Sequence, residues 1–145
     1  MRINHLAVVA SAAAYWVLGA VWYSIFSAPF IALMRWRPED VSRIESEGAG
    51  PQIAVAFVCS LVLAYVLAHF VKFTGAETAW QGAQAGFWLW LGFVATTNLN
   101  TVLFEFRPLG LYLINNAYHL VAMLGMGALL AVWKRREARA PAYQH

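Results

Sequence analysis

TTNLNTVLFEFRPLGLYLINNAYH, residues Thr96–His119, is a polar stretch that lies between two long apolar runs of the chain. The run before it and the run after it, which ends at Trp133, are almost free of charged residues. A helix needs about 20 apolar residues to cross the hydrocarbon core of a bilayer. This layout predicts a transmembrane hairpin whose polar side chains gather near its turn.

The composition of the chain lies outside the range of soluble domains. Hydrophobic residues make up 61% of the 145 residues and charged residues only 12%, whereas about 25% of a soluble domain is charged. Mean hydropathy is +0.58. The apolar runs do not alternate with polar residues, as the strands of a membrane barrel would. We therefore predict an all-α membrane protein.

Four apolar stretches are predicted to form a four-transmembrane-helix bundle, which is a single domain over residues 1–133. Pro38 followed by Glu39 and Asp40 is the pattern of a helix start. It predicts a short helix that lies in the membrane interface between spans 1 and 2. Gly82 and Gly86 form a GxxxG motif, which lets another helix approach closely. The four spans are predicted at about residues 6–26, 53–71, 79–104 and 109–133.

The positive charges predict the orientation of the chain. Lysines and arginines near the ends of spans concentrate on the cytoplasmic side. Six of them (Arg2, Lys72, Lys134, Arg135, Arg136 and Arg139) fall on the side of the termini, against four on the other side (Arg35, Arg37, Arg43 and Arg107). Both termini and a basic tail, residues 134–145, are therefore expected in the cytoplasm of a bacterium, with the chain in its inner membrane.

The same basic tail bears on the partners of the protein. It follows directly on the last apolar run, where a basic cluster acts as a topology signal and contacts anionic lipid headgroups. We therefore expect the lipid bilayer as a partner, and no nucleic acid. A homo-oligomer or a larger membrane complex is a further expected partner.

Polar residues of the hairpin predict a candidate polar pocket between spans 3 and 4. At 1.5 Å per residue, Asn98 and Asn115 lie at the same depth below the turn and are expected to meet. Two interpretations stay open: hydrogen bonds that hold the helices together, or a ligand pocket or ion path. His119 leads the second interpretation because its titration range suits proton or ligand handling. The candidate residues are Asn98, Thr101, Glu105, Arg107, Asn115, Asn116 and His119.

Charged groups at the turn have a separate expectation. Glu105 and Arg107 stand on either side of Phe106, directly before Pro108. Residues two apart do not face each other on a helix, but a non-helical turn brings them together. We expect them to form a structural ion pair at the membrane surface.

Catalytic and metal-binding motifs are not found in the sequence. No HExxH, CxxC or paired-acid arrangement accompanies any histidine, and the single cysteine, Cys59, has no partner for an intrachain disulfide. We predict no catalytic residues, no metal and no cofactor. A membrane enzyme that uses Glu105 and His119 as acid and base is the least favoured alternative.

Several segments resemble the family of membrane proteins called domain of unknown function 1761 (DUF1761). They are NHLAVV at residues 4–9, LGAVWYS at 18–24, LGFV at 91–94 and FEFRPLGLYLINNAYHLVAMLGMGALLAVW at 104–133. The last segment is the most specific of them. The resemblance implies a four-span protein and supplies no catalytic residues.

Two functions follow from these observations. The first is a structural or accessory component of a larger membrane complex, which fits the small-residue helix faces and the lack of a soluble domain. The alternative is a small-molecule or lipid binder or transporter that acts as a homo-oligomer, because four spans are few for a complete pathway. In that case the candidate polar pocket holds the ligand.

Overall fold

A computed structural model of the chain describes residues 3–48 and 50–139, with the backbone alone for Ile44 and for residues 134–139. These described residues form seven α-helices and no strand. A π-helical segment, Trp90–Ala95, joins α5 directly to α6. The α-helices are α1 His5–Ile25, α2 Ser27–Met34, α3 Pro38–Glu47, α4 Gly50–Phe73, α5 Ala79–Leu89, α6 Thr96–Leu103 and α7 Leu109–Arg139.

Three helices are long and apolar enough to cross a membrane, as an integral membrane protein requires. They are α1, α4 and the part of α7 from Leu109 to Trp133. The predicted third span is divided, because the π-helical segment separates α5 from α6. The basic tail lies partly in α7, which continues to Arg139, and the rest of it (residues 140–145) lies outside the described residues.

The connection between α1 and α4 contains two short helices. Helix α3 begins at Pro38, and Glu39 and Asp40 lie in its first turn. Asp40 accepts a hydrogen bond from the backbone N–H of Arg37 (3.2 Å), which holds the start of the helix. Helix α2 was not predicted; it packs against α7, where Leu33 lies over Gly110.

Small residues bring α5 and α7 into direct backbone contact. A Cβ atom built on Gly82 would collide with the carbonyl oxygen of Gly127, and one built on Gly127 would collide with the carbonyl oxygen of Gly82. One turn further along α5, a Cβ on Gly86 would collide with the carbonyl oxygen of Met123. The GxxxG motif therefore packs against α7, and the two helices run antiparallel.

The core of the bundle lies where α1, α4 and α7 meet. Its fully buried residues are mostly small: Ala12 on α1, Ala64 and Leu67 on α4, and Ala131 on α7. Much of the outer surface of these helices is apolar, as it is for a protein whose solvent is lipid.

We expect Gly82→Ala to destabilise the fold by about 1–3 kcal/mol, because the added methyl group must push α5 away from α7. The free energy of unfolding, measured in mixed detergent micelles, tests this. Gly125→Ala is the matched control, since a Cβ built on Gly125 meets no atom within 4 Å. Equal stability of the two variants would contradict the close contact.

Candidate functional site

The polar residues of α7 divide between two neighbouring helices. Tyr112 and Asn116 form hydrogen bonds with the segment that runs from α5 through the π-helical residues to α6. Asn115 and His119 point to α1, where tyrosine hydroxyls meet them. The hairpin therefore has two polar regions where the sequence predicted one.

The first region, which we call the polar cavity, lies between α6, α7 and the turn that joins them. It has a volume of about 300 Å³. Met34, Leu111 and Tyr112 complete its wall. The structure brings six of the seven candidate residues to it: Asn98, Thr101, Glu105, Arg107, Asn115 and Asn116.

Asn116 connects the two helices at the base of the polar cavity. Its side chain is buried (4% exposed), its Oδ1 accepts a hydrogen bond from Nδ2 of Asn98 (3.3 Å), and its Nδ2 donates to the carbonyl oxygen of Tyr112 (2.9 Å). Asn115 lines the same cavity but accepts a hydrogen bond from the hydroxyl of Tyr23 on α1 (2.9 Å). The partner of Asn98 is thus Asn116, where the depth argument expected Asn115.

The π-helical segment supplies backbone acceptors beside the polar cavity. A π-helix bonds residue i to residue i+5, so a return to α-helical bonding leaves a carbonyl without its usual N–H partner. Hydroxyl groups bond to carbonyl oxygens of this segment: Thr96 donates to that of Gly92 (2.7 Å), and Tyr112 donates to that of Ala95 (2.8 Å). Sequence reasoning missed the segment.

The turn between α6 and α7 keeps Glu105 and Arg107 apart. The backbone N–H of Arg107 donates to the carbonyl oxygen of Thr101 (3.0 Å), a bond typical of a helix end. Phe106 takes a left-handed conformation (φ 53°), which costs about 1–2 kcal/mol for a residue other than glycine. Among the described residues, no ion pair joins Glu105 to Arg107. The prediction of a structural ion pair is therefore wrong; the backbone bond of Arg107 and the left-handed Phe106, and not these two charges, form the turn.

His119, the seventh candidate residue, belongs to the second polar region. Its Nδ1 lies 3.2 Å from the hydroxyl oxygen of Tyr15 on α1. The neighbouring Tyr118 donates a hydrogen bond to the carbonyl oxygen of Tyr15 (3.0 Å). His119 does not line the polar cavity; α1, and not α6, is its neighbour.

The second polar region forms one wall of a larger opening, which we call the lateral groove. The groove has a volume of about 910 Å³ and lies between the second half of α1, the first half of α4 and α7. Its surface is mainly apolar, with a few polar groups from Tyr15, Tyr23, Ser60, Tyr118 and His119. Trp16 crosses from α1 to α4 and donates to the hydroxyl of Ser60 (3.2 Å).

The tyrosines of α1 were not among the residues that sequence reasoning selected. Tyr15, Gly19 and Tyr23 follow one another at four-residue spacing, so they share one face of α1. That face is the signal that could have revealed the groove, since it combines a small residue with two polar aromatic residues inside an apolar span. Within residues 3–48 and 50–139, no group of three or more His, Cys, Asp or Glu side chains is arranged to hold a metal ion.

Comparison with known protein families agrees with the resemblance seen in the sequence. The family described as "Protein of unknown function (DUF1761)" matches residues 6–131, which is most of the chain. No curated protein and no solved structure matches it.

We expect the side chains of Asn98 and Asn116 to stabilise the fold together, and those of Asn98 and Asn115 to act independently. Hydrogen bonds between membrane helices contribute about 0.6 kcal/mol, and up to about 1.7. A double-mutant cycle of Asn98→Ala with Asn116→Ala should show a coupling of that size in the free energy of unfolding. The control cycle with Asn115→Ala should show none. Coupling of Asn98 to Asn115 alone would contradict the observed pairing.

Proposed function

This chain belongs to the DUF1761 family, and we propose that it is an integral membrane protein that binds a small amphipathic, lipid-like molecule between its helices. The observation that carries the proposal is the lateral groove between α1, α4 and α7. Its occupant lies against an apolar surface that carries a few polar groups.

The dimensions of the groove support a ligand site. Small-molecule sites are mostly apolar concavities of about 300–1,000 Å³ with a few convergent polar groups, and the groove of about 910 Å³ falls within that range. The hydroxyl of Tyr15 and the imidazole of His119 meet at its wall. An apolar chain with a hydrogen-bonding group fits this combination better than a fully polar molecule does.

The position of the groove supports entry from the bilayer. Its three walls, α1, α4 and α7, are all helices that can cross a membrane. An opening between such helices faces lipid, so a ligand dissolved in the bilayer reaches it without crossing water. A homo-oligomer would be needed only if the ligand is also moved across the membrane.

The proposed topology has four spans, with α5, the π-helical segment and α6 together forming the third. This helical path covers roughly 25 residues, or about 37 Å at 1.5 Å per residue, which is enough to cross a bilayer. The described side chains of α3 are exposed or half-exposed, which supports its position at the membrane surface. The count of positive charges supports cytoplasmic termini in a bacterial inner membrane.

This topology predicts which engineered cysteines a membrane-impermeant thiol reagent reaches in intact cells. In a Cys59→Ser background, Ser46→Cys on α3 should react, because the proposed topology places α3 at the outer surface of the membrane. Glu77→Cys, in the link between α4 and α5, is the matched control and should react only after the cells are opened. The opposite pattern would reverse the orientation.

The accessory role expected from the sequence is the competing proposal. In that case a helix of another protein, and not a small molecule, occupies the lateral groove. Both proposals use the same surface, so one pair of variants with two measurements distinguishes them.

We expect Ala56→Trp to weaken binding of a dansyl-labelled fatty acid about tenfold or more, because the indole ring fills the groove that Ala56 lines. Fluorescence titration of the purified protein in detergent measures the effect. Val58→Trp is the control, since Val58 lies on the same helix, is 57% exposed and does not line the groove.

Two outcomes would contradict the ligand proposal. One is equal affinity for the fatty acid in both variants. The other is a wild-type chain that binds no fatty acid but co-purifies with another protein, when Ala56→Trp loses that protein and Val58→Trp keeps it. The second outcome would favour the accessory role.

A further inference from the structure

We propose that the polar cavity binds a zwitterionic group, with its ammonium against Glu105 and its phosphate or carboxylate against Arg107. The site is separate from the lateral groove, so this inference goes beyond the function proposed above. It rests on the side chains around the cavity and on the backbone of the turn.

The first step is that opposite charges face one cavity without neutralising each other. Glu105 and Arg107 both line it. In the part of the chain that the structure describes, neither side chain makes an ion pair. A carboxylate that accepts and a guanidinium that donates are therefore both available to a ligand.

The second step is that the backbone holds the two charges apart. Between them, Phe106 adopts a left-handed conformation with φ 53°, and the N–H of Arg107 is tied to the carbonyl oxygen of Thr101. Glycine is the residue that takes this conformation without strain. The turn thus places a positive and a negative group at one cavity without an ion pair between them, so a ligand with both charges can contact both.

The third step concerns the neutral part of the wall. Asn98 uses its Nδ2 in the bond to Asn116, so its Oδ1 stays available as an acceptor, while Asn115 uses its Oδ1 and keeps its Nδ2 as a donor. These amides extend the cavity's capacity for hydrogen bonds with either end of a dipolar ligand.

The fourth step is charge selectivity. The two side chains have no net charge together. An isolated anion is attracted by Arg107 but repelled by Glu105, and an isolated cation is attracted by Glu105 but repelled by Arg107. A ligand that carries both charges gains from both side chains. The volume of about 300 Å³ is at the lower end of ligand sites, which favours a small group such as phosphoethanolamine.

Such a group has two sources: a free molecule, or the headgroup of a membrane lipid. The cavity lies at the turn of the α6–α7 hairpin, which is the level of the headgroups if the hairpin crosses the bilayer. The chemistry of recognition is the same for both sources, so the experiment uses a soluble probe and a lipid probe.

The test measures binding of O-phosphoethanolamine, inorganic phosphate and ethanolamine to the purified full-length protein by isothermal titration. It also measures retention of phosphatidylethanolamine against phosphatidylglycerol by native mass spectrometry after release from nanodiscs. The variants are Glu105→Gln, which keeps the size of the side chain, and Arg107→Gln, which replaces the guanidinium with a shorter neutral amide. Glu45→Gln and Arg43→Gln on α3 are the charge-matched controls.

We expect the wild-type chain to bind phosphoethanolamine about tenfold or more tightly than phosphate or ethanolamine. Glu105→Gln should weaken phosphoethanolamine binding and strengthen phosphate binding, whereas Arg107→Gln should weaken both. Opposite shifts in a single variant cannot come from loss of folding. If only the lipid probe binds, with the same dependence on the two variants, the source is a lipid headgroup.

The inference is overturned if neither O-phosphoethanolamine nor phosphatidylethanolamine binds. It is also overturned if Glu105→Gln leaves the ratio of the affinities for phosphoethanolamine and phosphate unchanged. Equal effects of the α3 controls would also overturn it. Ala56→Trp, which fills the lateral groove, should leave phosphoethanolamine binding unchanged. Failure of groove binding and failure of this inference can therefore be told apart.

Discussion

The backbone contact between α5 and α7 is the constraint on which the polar arrangement depends. Gly82 meets Gly127, and Gly86 meets Met123, so a step of four residues along α5 matches a step of four residues back along α7. With no side chain between them, neither helix can slide without a carbonyl oxygen colliding with the other backbone. This contact holds the third helical segment against α7, and Asn98 of α6 bonds to Asn116 further along the same pair of helices.

The π-helical segment modifies this register before it reaches the polar cavity. A π-helical turn changes the direction in which the following side chains point, so α6 does not continue the face that α5 presents to α7. Tyr112 and Trp90 bond across this point, to the carbonyl oxygens of Ala95 and Asn116. Interruptions of this kind frequently occur at functional sites, and here the interruption lies next to the cavity and not within the glycine contact.

Much of this arrangement could be predicted from the sequence. The sequence could not predict which neighbouring helix each polar residue of α7 contacts, and the reason is physical. Composition and run length predict helices that cross a membrane, and turn chemistry predicts where the hairpin reverses. Helical spacing assigned Asn115 and His119 to one polar face, together with Asn116. However, successive residues on a helix point about 100° apart, so Asn115 and Asn116 can serve different neighbours. Only the position of α1 decides this, and that position depends on packing far along the chain.

Helix α7 separates the lateral groove from the polar cavity, and four hydrogen bonds between described residues hold it to α1. Asn115 accepts from the hydroxyl of Tyr23, and Nδ1 of His119 meets the hydroxyl of Tyr15. Tyr118 donates to the carbonyl oxygen of Tyr15, and Trp22 donates to that of Ile114. At about 0.6 kcal/mol for each such bond, the four together contribute about 2.4 kcal/mol. Because these bonds fix α7 against α1, we expect the groove and the cavity to bind their ligands independently.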